Sequence, residues 1–428
     1  MGVNEAVSAP LTLVAGRLGG AAVVGIALAS AAPWRPAVLA EPLIVLGVGL
    51  FLLVFATVYA AMARRLPSAG ALYTFAARGL GRPFGLSAAW LALTAYTVVQ
   101  LGLYAVAGVA VAPLIDGPWW MAAGVAWAVV TLSGILRVEI TAAVLALLVI
   151  GLLGLTVRYP GADWFTGLGP PALTDIPRPE LGLALLTAAL AFAGFETAAA
   201  YGEDLRRSAA PVAYPVLVVL VVVLAPPRVA LPAWGVAAGA LAGVVALHHT
   251  IVRYLVALGR ERVFPRGLAR LRLASLTQSV VAGLTLGACV LFDVDLSAGF
   301  ITAGGLGVLV LLLGTSLAAL LFLNRHPAGE GVWRRLLAPG VATVGFGTLG
   351  WLGYEHHRPL LIAGAVPVLV GLVHAGVLRQ AGPVVYAGIG LGGRAIVVVP
   401  DPSTEPVVLP HPRVPGAHRP ERVDRSLT

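Results

Sequence analysis

The chain has 428 residues, of which 59% are hydrophobic and 11% charged, with a mean hydropathy of +0.93 and a formal net charge of +9. Soluble domains carry charge on about a quarter of their residues, so this composition excludes a water-soluble globular protein. The long apolar runs are continuous and do not alternate, which excludes a membrane β-barrel and leaves an all-α polytopic membrane protein.

Residues 1–10 lack the basic start of a cleavable signal and read as a cytoplasmic N-terminus. At roughly 20 apolar residues per crossing, spans are predicted near residues 11–33, 42–63, 84–114, 119–136, 139–157, 181–202, 211–226, 233–258, 277–292, 299–323, 336–354 and 359–378. That is about twelve helices, in a transmembrane domain over residues 11–379. All 28 basic residues are arginine. With so much Ala, Gly, Val and Leu, this bias points to a GC-rich genome and to the inner membrane of a bacterium.

Arginines concentrate in alternate connections: Arg64, Arg65, Arg78 and Arg82, then Arg137, then Arg206 and Arg207, then Arg260 to Arg272, then Arg325, Arg334 and Arg335. Short Arg-rich connections face the cytoplasm, which places both termini there. The same pattern explains the net positive charge without a nucleic acid partner. The seventh span is short, but without that crossing one Arg-rich loop would lie outside. The single cysteine, Cys289, stands in an apolar segment and offers neither a disulfide framework nor a thiol metal site. From residue 380 to 428 hydropathy drops and prolines accumulate, so a largely disordered cytoplasmic tail is expected.

Within the sixth span one carboxylate, Glu196, interrupts the apolar run. An acidic side chain at bilayer depth costs about 2.5 to 3.5 kcal/mol on insertion scales, so such a residue normally faces a cavity or a partner. Phe192, Ala193, Gly194 and Phe195 precede it, a glycine between aromatics where a membrane helix can unwind and leave backbone groups free for a ligand. The alternative is a buried, protonated glutamate bonded to a neighbouring helix. Tyr96, Gln100 and Tyr104 fall at i, i+4 and i+8 of the third span, either as a polar stripe facing a site or as interhelical packing. His248 and His249 are adjacent in the eighth span and face about 100° apart, so at most one lines a cavity. His249 is taken with Glu196 as a candidate for proton coupling. No nucleophile elbow, phosphate loop or metal-ligand cluster is visible, so neither an enzyme nor a cofactor nor a metal site is expected.

Three stretches together resemble one family. The segment ARRLPSAGALYTFAARGLGRPFG at residues 63–85 is similar to the pattern A-x-R-x-P-x-A-G-G-x-Y-x-Y of the amino acid-polyamine-organocation permeases. Arg65, Pro67, Ala69, Gly70, Tyr73, Phe75, Leu80, Gly81 and Trp90 carry the match. Residues 185–211 resemble the family's sixth helix, F-x-G-[FYV]-[ED] followed by charges and a proline. Residues 247–270 resemble its eighth, with Arg253, Ala257, Leu258, Arg260 and Pro265 in place.

The resemblance implies the leucine-transporter type of fold, a 5+5 inverted repeat plus two further C-terminal helices. Repeat one would span about 11–157, repeat two about 181–323 and the last two helices 336–378. Helices one and six would be discontinuous and hold the substrate at the midplane. The first-helix counterpart of the Gly194 break is Gly25, in Val23-Val24-Gly25, where many members carry G-[SA]-G.

The implied function is a secondary transporter that moves an amino acid or related amine across the cytoplasmic membrane, with protons as the expected coupling partner. Substrate contacts would come from Val23, Val24, Gly25, Phe192, Ala193, Gly194, Phe195, Tyr96 and Gln100, and proton coupling from Glu196 and His249. A non-transporting homologue acting as a sensor or partner subunit is the alternative.

Overall fold

The computed structural model describes residues 42–136, 177–201, 233–294, 296 and 298–391. The predicted spans at 11–33, 139–157 and 211–226, and with them Val23, Val24 and Gly25, lie outside the described residues. The others are helical. In a bilayer each backbone N–H and C=O must be satisfied within its own segment, so a continuous apolar run becomes a helix whatever its propensities.

In chain order the helices are α1 (Pro42–Arg65), α2 (Ala71–Gly79), α3 (Arg82–Ile115), α4 (Trp119–Leu136) and α5 (Arg178–Ala191). They are followed by α6 (Ala233–Arg260), α7 (Leu271–Leu291), α8 (Ala298–Arg325), α9 (Ala338–Ala381) and the short α10 (Pro383–Gly388). Among the described residues seven helical segments are long and apolar enough to cross a membrane. α3 opens with a proline in its first turn, where the missing N–H has no partner to lose, and ends at Asp116 in the left-handed region, φ +48°. α7 begins at Leu271, ahead of the predicted 277. The difference has a simple cause: Arg272 lowers local hydropathy, but its side chain can reach the interface while its backbone stays helical.

The predicted spans 336–354 and 359–378 fall in α9, which is broken at His357, φ −134° and ψ 38°. Pro359 follows closely and removes a ladder hydrogen bond. The contacts show the chain doubling back there. Just ahead of α9, Arg335 O accepts from Asn324 Nδ2 at 3.0 Å; near the turn, Leu352 and Gly353 lie against Gly182 and Leu306; beyond it, Ser87 Oγ donates to Val368 O at 3.0 Å. The two halves are therefore antiparallel crossings.

Long-range polar contacts gather the Arg-rich helix ends at one side. Arg65 Nη1 pairs with Glu330 Oε1 at 2.7 Å and its Nη2 donates to His326 O at 2.8 Å. Arg325 Nη1 donates to Gly79 O at 3.2 Å, and Gly390 N to Glu261 Oε2 at 3.1 Å. At the centre, small residues let backbones approach, as lipid-immersed helices require. Gly304 and Gly307 of α8 press on Ala95 of α3, and Gly102 of α3 presses on Ile301 of α8.

Candidate functional site: the interrupted helix at Gly194

α5 stops at Ala191 and the chain turns through residues 192–194 into a 3-10 helix, Phe195–Tyr201. In the turn the hydrogen bonds shorten to i→i−3: Phe192 N to Ala189 O at 3.2 Å, Ala193 N to Leu190 O at 3.0 Å, Thr197 N to Gly194 O at 3.1 Å. Gly194 sits at φ +114°, a conformation that side-chain-bearing residues rarely adopt. The sixth span is thus interrupted where the glycine between two aromatics predicts it.

Glu196 occupies the break and is 0% exposed. Its Oε2 accepts the Gly194 N–H at 2.8 Å, so the side chain caps the backbone that the turn releases. Its Oε1 accepts the Tyr96 hydroxyl at 3.0 Å, and its backbone carbonyl accepts the Tyr59 hydroxyl at 2.9 Å. Three elements therefore converge on one residue: the break itself, α3 through Tyr96 and α1 through Tyr59. Thr197 Oγ1 donates to Gly194 O at 2.6 Å and closes the turn from the other side.

Aromatic rings wall the site. Phe195 meets Phe55 edge to face at 6.0 Å, Tyr96 meets Tyr254 at 6.0 Å, and Tyr254 meets Tyr73 at 5.8 Å. The short helix α2 closes the Arg-rich side. Its Leu72 N–H donates to the Tyr254 hydroxyl at 3.3 Å, and its Phe75 ring stands 6.3 Å from that of Tyr59. Arg253, one residue before Tyr254, donates from Nη1 to Ala200 O at 3.3 Å and so brings a cation to the segment beyond the break.

Of the residues singled out in the sequence, the structure brings together Phe192, Ala193, Gly194, Phe195, Glu196 and Tyr96, all of them buried. Gln100 turns elsewhere: its Nε2 donates to Val244 O at 3.3 Å and its Oε1 accepts Gln278 Nε2 at 2.9 Å, in a seam between α3, α6 and α7. His248 Nε2 lies 2.9 Å from Ser275 Oγ in the same seam, and the half-buried His249 stands 5.8 Å, ring to ring, from His248. Tyr59 and Tyr254 were not singled out from the sequence. Each is the lone tyrosine in an apolar stretch close to an arginine, and the polar tip of a buried tyrosine needs a partner, which is the signal that points to them.

A family profile described as amino acid permease matches residues 10–230. No curated protein matches the sequence. Among solved structures, the Eremococcus coleocola manganese transporter in complex with an aromatic bis-isothiourea substituted compound aligns with a TM-score of 0.52 at 13% identity, covering 88% of this chain and 95% of that one. A mutant of the same transporter aligns at 14% identity with a TM-score of 0.46, over the same 88% and 95%. At such identities the first likeness speaks to the fold alone, and it is a polytopic transporter fold of the leucine-transporter type.

Proposed function

This chain belongs to the amino acid permease family, and on that premise we propose that it moves an amino acid or related amine across the cytoplasmic membrane of a bacterium by alternating access. It is a multi-pass membrane transporter; the substrate class, the coupling and the roles of single residues are our reading. The observation that carries it is the buried Glu196 carboxylate, held by Gly194 N–H and Tyr96 OH at a helix break walled with aromatic rings. A carboxylate in such a place is suited to a proton or to the ammonium group of a substrate, and the surrounding ring faces favour a cation.

In this reading Gly194 and Gly25 supply the broken-helix backbone, with Val23 and Val24 beside it, and Phe192, Ala193 and Phe195 form the apolar wall. Glu196 exchanges the proton or contacts the amine, with His249, one turn before Arg253 on α6, as a second titratable group. Gln100 supports α3 from behind, through Gln278. The Arg-rich side, where the ends of α1, α6 and α8 are tied together, is the cytoplasmic one. Residues 11–157 and 181–323 are the two repeats, and the cytoplasmic tail expected from residue 380 begins only after α10, since α9 runs to Ala381 and α10 to Gly388.

The test is a thermal-shift panel of amino acids, polyamines and monoamines on the purified protein. Manganous ion is included because it is the cargo named for the structural neighbour. Counterflow in proteoliposomes follows for each binder. Uptake of a labelled amine or amino acid against its unlabelled form supports the proposal. Binding without flux would favour the non-transporting reading, and flux of manganous ion alone would overturn the substrate class.

A further inference from the structure

The chain beyond α9 does not leave the bundle. Gly382 ends α9 with φ −145° and ψ 61°, α10 runs to Gly388, and the next residues lie against the Arg-rich side. Ile389 is 2% exposed, although it belongs to a segment whose composition reads as tail. The Gly390 N–H donates to the Oε2 of Glu261, a carboxylate that is itself buried just past the end of α6. The Arg82 guanidinium stands 5.5 Å from the centre of the Tyr386 ring. Gly390 has φ +77°, and a Cβ placed on it would meet the Ala77 Cβ at 2.6 Å, so glycine alone fits both the turn and the contact.

Ala77 is on α2, and α2 covers the site. Eight of its nine residues are buried. Its Leu72 N–H bonds to Tyr254 and its Phe75 packs on Tyr59, and these two tyrosines touch Tyr96 and Glu196 respectively. The chain of contact from Gly390 through α2 to Glu196 is therefore continuous, and each step in it is a hydrogen bond or a packed ring or methyl group.

We propose that residues 382–391 form a strap that clamps α2 over the Arg-rich side of the Glu196 site, so that releasing the strap uncovers the site from that side. The strap is anchored at two points of different chemistry, the Glu261 carboxylate and the Arg82–Tyr386 stack. A change at one leaves the other to hold its register. Both anchors lie on the Arg-rich side, at or beyond the ends of the long helices, which suits a segment that opens locally while the helix bundle stays folded.

Amide hydrogen exchange on the full-length protein tests this, and because it needs no substrate, its failure is distinct from failure of the transport reading. Gly390→Val introduces a Cβ against Ala77 and a strained φ; Glu261→Gln keeps shape and removes the charge. In Gly390→Val, exchange in residues 71–79 and 194–201 should rise about tenfold or more while α8 keeps its protection. Glu261→Gln should give the same pattern with a smaller rise. Wild-type exchange at 71–79 in Gly390→Val would overturn the clamp. A rise at 71–79 with none at 194–201 would overturn the idea that it covers the site. If α8 lost protection as well, Tyr386→Leu, which removes the stack with Arg82 and leaves Glu261 in place, would decide by the same two segments.

Discussion

The Tyr59 hydroxyl donates a 2.9 Å hydrogen bond to the backbone carbonyl of Glu196, across 137 residues of chain. A helix break leaves carbonyls without i+4 donors, and in hydrocarbon such a group cannot turn to water. Tyr59 satisfies that carbonyl while Tyr96 satisfies the side chain, so α1 and α3 hold the same residue by its two ends. Tyr59→Phe keeps the ring and its contact with Phe75 but deletes the donor to the break. A destabilisation of about 0.5 to 1.5 kcal/mol is expected, the net worth of one hydrogen bond, since the Glu196 carbonyl stays within the 3-10 helix Phe195–Tyr201. It would be read as a lower thermal midpoint in detergent at fixed scan rate. An unchanged midpoint would mean that water replaces the hydroxyl at the break.

Gly194 allows a sharper comparison. At φ +114° a Cβ is strained, and Gly194→Ala should cost about 1 to 2 kcal/mol and displace the N–H that Glu196 accepts. Ligand-dependent thermal shifts should weaken together with stability. Gly47 is the matched control: it lies in α1, and a methyl group added there would meet nothing within 4 Å, so Gly47→Ala should leave the midpoint unchanged or raise it.

The seam between α3 and α7 rests on an amide pair, Gln278 Nε2 to Gln100 Oε1 at 2.9 Å, with Gln100 also donating to Val244 O. Gln278→Leu takes the donor from the buried Gln100 Oε1, and Gln100→Leu leaves Gln278 Nε2 with its longer bond to Thr97 Oγ1 at 3.3 Å. Each single variant already breaks the amide pair, so the two effects should not add: a double-mutant cycle should give a coupling of about 0.5 to 2 kcal/mol. Additivity within error would show that the two amides are independently hydrated.

Much of this architecture was legible in the sequence because the bilayer allows so few solutions. The spans at 42–63, 84–114, 233–258 and 299–323 are long apolar runs, and each is a helix near those bounds. The break was legible too, since Gly194 between two phenylalanines beside an acid is a local signal. What escaped depends on side chains far apart in the chain. Nothing near residue 59 indicates that its hydroxyl serves residue 196, and nothing near residue 390 indicates that its N–H serves residue 261. Gln100 shows the converse, for its helical spacing from Tyr96 suggested a shared face. Rotation along α3 instead carries the amide to α6 and α7, one turn past the site.

On the Arg-rich side, the Glu330 carboxyl is held below its ordinary value of 4.5, first by the Ala328 N–H and then by Arg65. A folded-state pKa below the unfolded one contributes stability above the unfolded value, and that contribution is lost as pH falls through the folded value. The difference in thermal midpoint between wild type and Glu330→Gln should therefore be constant near neutrality and shrink as pH falls below 4.5. It should shrink in high salt as well, since the pair is partly exposed and screened. A difference that grows on acidification would reverse the assignment.

The last prediction concerns Glu196 and what its proton does. Both of its carboxylate oxygens accept hydrogen bonds, from Gly194 N–H at 2.8 Å and Tyr96 OH at 3.0 Å. Glu196→Gln preserves most of this arrangement: the amide oxygen can still accept the Gly194 N–H, and the amide nitrogen can donate to a rotated Tyr96 hydroxyl. The variant should therefore fold, with a thermal midpoint close to that of the wild type, which separates structure from coupling. It cannot take up and release a proton. If Glu196 carries the proton, uptake driven by a pH gradient should vanish in proteoliposomes while exchange of labelled for unlabelled substrate continues, because exchange needs the cavity to reorient but needs no net proton movement. If Glu196 instead binds the ammonium group of the substrate, exchange and uptake should fall together and the substrate-induced thermal shift should disappear. Wild-type uptake in the variant, driven by pH and with unchanged affinity, would remove Glu196 from the transport cycle and leave it as the cap of the interrupted helix.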